Sequence, residues 1–350
     1  RVWPWDLLKR GGLTTIAVGR VQQALGDRAN SFSAVAAYDR CFVIGFAFGS
    51  AVLSFFFIVG TSMSVHAKAV GVASVCIAAL LPVGGHAEGI DTEHIFAFMI
   101  GTDVGNVGER EFQSQTTGRF SKAGGNYRAI GQEFELEFVP ARNFRVELGG
   151  TFATHDIFGV PGFANRNQFE GQGISLDLRY RFLDREKDPF GLTLAVESHV
   201  DRVDETTAAR VRTYGTEFTL AFDRELVPNL SVAAVNLIYQ PEWTRMVATG
   251  RAEQESTVGA AFAVMAQIRP GVFLGGEARY FRRYEGIGLD DFAGQALFVG
   301  PTVFLKLSDR SRLTANWSFQ AWGRSAGSAG ALDLVNFERH QVRLVLGVNF

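Results

Sequence analysis

Residues 127–155 read YRAIGQEFELEFVPARNFRVELGGTFATH. Along 127–138, Phe134, Leu136 and Phe138 share one side, and Glu133, Glu135 and Glu137 share the other. After a turn at 139–143 containing Pro140, residues 144–155 return with Phe144, Val146, Leu148 and Phe152 set against Arg145, Glu147 and Thr151. A period of two marks a β-strand whose faces meet different surroundings. The scheme recurs along the rest of the chain. Residues 171–183 set Ile174, Leu176, Leu178, Tyr180 and Phe182 against Ser175, Asp177, Arg179 and Arg181. Alternating segments follow at 190–203, 211–223, 230–239, 257–268, 272–283, 295–307, 312–324 and 340–350, and residues 111–121 supply one more upstream. Turn formers such as Pro228 and Pro270-Gly271 fall in the gaps, and short connections alternate with long ones.

Alternation alone also suits a soluble sandwich with one wet face. Length and charge decide against it. These segments run about twice the usual ~5–6 residues of a soluble strand, whereas a tilted bilayer crossing needs ~9–11. Their polar faces carry mid-strand charges of both signs, which a hydrated lumen accommodates. The chain has 39 Gly and 31 Phe against only 9 Pro, so long stretches keep every backbone donor for a closed ladder. The sequence therefore predicts an all-β fold, a membrane-spanning up-and-down antiparallel barrel of about twelve strands. An even number places both ends of the barrel on the periplasmic side. Residues 95–101 are also strand-like. They could pair as an extra strand, giving up to fourteen, extend the first hairpin, or tuck inside the lumen.

The last segment, HQVRLVLGVNF at 340–350, places Val342, Leu344, Leu346, Val348 and Phe350 on one face without a break. It resembles the C-terminal signal of Gram-negative outer-membrane β-barrels, an apolar alternating strand with a terminal aromatic that the barrel-insertion machinery reads. Over residues 88–350 the chain is similar to this class in general, porin-like channels and transporter-type barrels included. The resemblance implies the cell outer membrane as location, with its lipid and the insertion machinery as partners. It implies neither a substrate nor an oligomeric state.

Upstream, residues 63–87 read MSVHAKAVGVASVCIAALLPVGGHA. A short start with Lys68, an apolar run, the breaker Pro82 and small residues at the end have the layout of a secretory signal, with cleavage expected between Ala87 and Glu88. Residues 1–62 form an upstream extension that begins with Arg1, and residues 42–60 are almost wholly apolar. Translation is expected to begin at Met63, with an inner-membrane anchor as the alternative. The remaining barrel, 88–350, is expected to form one domain.

The whole chain carries 34 basic and 36 acidic side chains. Without residues 1–87 the balance becomes 27 basic against 33 acidic, a net of −6, which argues against nucleic acid as a partner. Both cysteines, Cys41 and Cys76, precede residue 88, which excludes thiolate metal sites and disulfides from the barrel. No metal-spaced cluster or cofactor motif appears in the sequence, so neither metal nor cofactor is expected. The barrel histidines are His94, His155, His199 and His340. Ser198 and His199 are chain neighbours, so on a strand they point to opposite faces and cannot act as a nucleophile–base pair; Ser175 or Thr219 on adjacent strands could. The chain is not expected to be an enzyme. The lumen candidates are Glu133, Glu135, Arg145, Asp177, Arg179, Arg181, Glu197, Glu217, Glu277 and Arg279. The sequence suggests that Glu133, Glu135 and Glu137 face Arg145 across one tight turn, and that Arg179 and Arg181 face Glu197 across the next. Such rows would create a transverse field acting on small polar solutes. The leading expectation is passive diffusion of such solutes. No segment of plug-domain size lies between residue 88 and the first strand, so no energy coupling is expected. A barrel lipid hydrolase and a structural or surface-interaction barrel are the alternatives. Trp243, Trp317, Trp322, Tyr180, Tyr239 and Tyr280 are expected at the membrane interfaces.

Overall fold

The computed structural model describes residues 31–38, 41–48, 51–58, 89–327 and 330–350. Two compact units divide the chain, 1–82 and 83–350. In the first, β1 (Ser31–Tyr38), β2 (Cys41–Phe48) and β3 (Ala51–Ile58) form an antiparallel three-stranded sheet. The apolar stretch 42–60 thus supplies β2 and β3. The signal-like segment 63–87 and its expected cleavage point lie outside the described residues.

The second unit is a closed antiparallel barrel of twelve strands. In chain order these are β4 (Arg110–Phe120), β5 (Asn126–Ala141), β6 (Phe144–Phe158), β7 (Arg166–Leu183), β8 (Gly191–Val203), β9 (Arg210–Val227), β10 (Ser231–Met246), β11 (Ala252–Arg269), β12 (Val272–Glu285), β13 (Asp291–Lys306), β14 (Ser311–Ser325) and β15 (His340–Asn349). Each strand pairs with the next, and β15 pairs with β4 from His340↔Phe120 to Asn349↔Glu111. Closure leaves no edge of unpaired N–H and C=O groups, the condition for a sheet surrounded by hydrocarbon. Tight turns occupy one end, with Asn143 at φ 64° and Gly271 at φ 74°, a left-handed geometry that asparagine and glycine tolerate at low cost.

The apolar rows face outward. Ile174 is 67 % exposed and Leu148 58 %, while the intervening Arg145, Glu147 and Asp177 are buried inside. Phe112, Phe134, Phe152 and Phe169 form an aromatic ladder across β4 to β7 on the outer face, with ring centroids 5.9–6.2 Å apart. Trp243, Trp317, Trp322 and Tyr180 also lie exposed on that face. A surface of this kind is stable only against lipid. The chain is a β-barrel of the outer membrane.

The strands run further than the sequence suggests. Residues 240–256 read as a polar loop, yet β10 and β11 continue through them, pairing Glu242↔Glu255 and Trp243↔Gln254. Polarity there reflects hydrated surroundings rather than a lack of pairing. Pro241, which has no N–H to donate, sits where the β9–β10 ladder is interrupted between Tyr239↔Phe218 and Glu242↔Gly215. Two outer connections, 204–209 and 330–339, fold inward. Arg119 ties them together through ion pairs with Glu205 and Glu338. Residues 89–109 form no strand, and their buried part lies inside the barrel, the third of the placements open for 95–101.

Candidate functional site

The plug segment 89–109 explains much of the lumen. A chain that forms neither helix nor strand must find partners for its backbone elsewhere. Here the wall supplies side chains. Glu277 on β12 accepts from the amides of Ala97 (2.7 Å) and Phe98 (3.0 Å). Asn236 on β10 accepts from Ile100 N–H and donates to its carbonyl, each at 2.9 Å. Asp223 on β9 accepts from Thr102 N–H (2.9 Å) and from the hydroxyls of Thr102 (2.7 Å) and Thr92 (2.6 Å). Thr193 donates to the Thr102 carbonyl at 2.6 Å.

Apolar contacts complete the seat. Ile95, Phe96 and Met99 pack on the inward faces of Val232, Ala234, Ala261, Ala263, Met265 and Phe273. Small residues there leave room for the segment. This signal was present in the sequence. Around 232–235 and 258–265 both faces are apolar, so the lumen side of β10 and β11 there must be covered by something other than water. At the plug's upper side Phe98 lies under two guanidinium groups, Arg279 at 3.6 Å and Arg343 at 4.3 Å from the ring centroid.

All ten lumen candidates point inward, but they divide into two groups. Arg145, Asp177, Arg179, Arg181, Glu277 and Arg279 meet the plug or its ion network. Arg145 pairs with Glu93 of the plug and with Glu147, both at 2.7 Å. Arg179 holds Glu147 (2.9 Å) and Asp177 (2.8 Å), while Arg181 holds Asp103 at 3.1 Å. At the periplasmic turn Arg185 joins Asp103 (2.5 Å) and Asp223 (3.2 Å). Burial, then the Arg312 guanidinium, pushes the His94 imidazole of the plug down to about 3. The second group, Glu133, Glu135, Glu197 and Glu217, stays half-buried in the space beyond the plug.

Register places the charges differently from the sequence reading. Arg179 lies opposite Ala195 and Arg181 opposite Thr193, while Glu197 faces Asp177. Glu135 lies opposite Gly149 and Glu137 opposite Glu147, although Glu137 does reach Arg145 at 3.5 Å as the sequence suggests. A row sequence alone does not reveal runs across six consecutive strands: Glu111↔Glu137, Glu137↔Glu147, Glu147↔Asp177, Asp177↔Glu197 and Glu197↔Glu217. Each strand from β4 to β9 thus contributes one carboxylate, directly opposite the next, in a belt around half the wall. Its lower members are matched by Arg145, Arg179 and Arg312. Among the described residues no such cation pairs with Glu197 or Glu217; Glu217 is held by Gln240 and by Thr219 at 2.7 Å. On β12 and β15 stand Arg279, Arg283 and Arg343, with Arg283 paired to Glu255 of β11.

Register also sets Ser175 opposite His199, with Asp201 at 3.6 Å from the imidazole. The Ser175 hydroxyl, however, donates to Glu133 at 2.9 Å. His155 contacts the carbonyl of Glu205 at 2.9 Å, which anchors an infolded loop. Val342, Leu344, Leu346 and Val348 are exposed on the lipid face, and the Phe350 amide donates to Arg110 at 3.0 Å.

The fold is similar to several solved outer-membrane barrels. The COG4313 outer membrane channel from Pseudomonas putida F1 shares 10% identity over 71% of this chain and 98% of its own, with a TM-score of 0.49. The NanC porin shares 7% over 68% and 100%, with a TM-score of 0.43. The translocator domain of the autotransporter NalP from Neisseria meningitidis shares 17% over 71% and 91%, with a TM-score of 0.41. No curated protein sequence matches the chain. Residues 88–350 match the family model DUF6662, a family of unknown function, and the chain belongs to that family.

Proposed function

We propose that the barrel is a gated channel for passive diffusion of small polar solutes, with a preference for cations, held shut here by the plug. The acidic belt carries this reading. Like charges set directly opposite each other on neighbouring strands oppose folding. A wall that keeps Asp177, Glu197 and Glu217 in one row accepts that cost, and a favourable site for passing cations is its natural return. The arginines on β12 and β15 complete a transverse field over the half-buried space beyond the plug. In this reading the barrel performs no chemistry on the solute.

Conductance of the refolded barrel in planar bilayers tests the proposal. Open events should be cation-selective, and the double substitution Glu197→Gln, Glu217→Gln should reduce that selectivity several-fold. A bilayer that stays sealed even after displacement of the plug, or a selectivity indifferent to both substitutions, would remove the proposal's basis.

A further inference from the structure

We infer that Glu93, His94 and Glu137 form a binding site for a divalent transition-metal ion of the zinc type, which fastens the plug to the barrel wall. Glu93 and His94 belong to the plug and Glu137 to β5, so an ion held by all three would cross-link the movable part to the fixed one. Donor atoms of the three side chains lie within 4.8 Å of one another. His94 Nε2 is 3.5 Å from Glu93 Oε2 and 3.6 Å from Glu111 Oε2. Both separations are long for a hydrogen bond, and they match the ~3.4 Å between ligands around tetrahedral zinc when each bond is ~2.1 Å.

Two orphaned oxygens point the same way. Glu137 Oε2 and Glu111 Oε1 are buried without a hydrogen-bond partner. The cation near Glu137 is Arg145, 3.5 Å away, whose Nη1 is already engaged at 2.7 Å by Glu93. Charge counting agrees. The connected network holds five carboxylates, the three named here with Glu147 and Asp177, against the three guanidinium groups of Arg145, Arg179 and Arg312. One divalent ion makes up the difference of two in a water-poor enclosure. A neutral imidazole and carboxylates without thiolate suit zinc or its neighbours better than calcium, which takes oxygen ligands throughout.

The inference rests on the seating of the plug and not on whether the barrel conducts, so its test uses no current. Cobalt(II) titrated into the full chain in detergent should give the intense visible bands of a tetrahedral site at one ion per chain, and zinc should displace it. His94→Ala and Glu137→Gln should each weaken zinc binding by at least ~10–100-fold, the loss already caused by removing an outer-shell partner of a ligand. Zinc should also slow proteolytic cleavage within 89–108, and a chelator should reverse this. The wild-type cobalt spectrum needs no variant, so a misfolded substitution cannot obscure the result. Absence of cobalt binding, the pale spectrum of an octahedral aquo site, or binding that survives both substitutions overturns the inference; in the first case two protons balance the charge instead.

Discussion

At the scale of single residues, several lumen side chains act as partners for the plug's backbone. Glu277 shows this best, since its carboxylate takes two amides of a segment that has no ladder of its own. Replacing it by alanine strands both donors in a buried place, a loss of ~1–3 kcal/mol for the plug's seat. Hydrogen exchange should therefore accelerate at Ala97 and Phe98 while the barrel strands keep their protection. Lys122 gives a pH-dependent case at the outer rim. Its ammonium donates to the Val335 carbonyl at 3.2 Å and lies over the rings of Tyr127 and Phe163. Burial pushes it down to about 8, against the opposing pull of Glu338. With the folded value below the ordinary 10.5, the unfolded loop holds more protons between those limits, so docking of 330–339 tightens as pH rises from about 8 towards 10.5. Cleavage of that loop by an alkaline-tolerant protease should slow across this window, and Lys122→Met should abolish the dependence.

At the scale of the strand, the outward rows can be tested by reversing their polarity. On a soluble protein, Ile174→Arg at an exposed site would be harmless. In a bilayer, arginine near the midplane costs ~2–4 kcal/mol. Denaturant unfolding of the barrel in lipid vesicles should show a loss of that size, and a much smaller loss for Thr216→Ser on β9. Strand register is where the sequence reading went astray. Acids and arginines were identified on the inward face, but apart from Glu137 with Arg145 their neighbours across strands were not, because a one-step change of pairing exchanges every partner. Hence Glu197 meets Asp177 rather than Arg179, and the acidic belt emerges only once β4 to β9 are in place.

At the scale of the whole molecule, the barrel is a closed wall with residues 89–109 packed inside it. Gly101 is the weak point of the filling, since a Cβ there would stand 2.0 Å from the carbonyl oxygen of Thr92. Gly101→Val should displace the plug and leave the wall, where no strand residue is altered, intact. Channel activity in planar bilayers should then rise at least ten-fold over the wild type, with the barrel's unfolding midpoint nearly unchanged. Unaltered current in a protein whose plug amides exchange freely would count against the proposed channel.

That this chain crosses a membrane as a barrel is legible in its residues alone. Period-two alternation over long strands is a local property, set by which side of each residue meets hydrocarbon, and residues 127–155 already display it. The run IFAFMI at 95–100 and the two apolar faces of 232–235 and 258–265 were also readable, though not that they meet. What fills the lumen and which charges oppose each other emerge once the barrel has closed. Those facts depend on closure of β15 on β4 and on the stagger of every pairing between, and contacts such as Glu93 with Arg145 or Phe98 with Arg343 join residues whose separation along the chain carries no period at all.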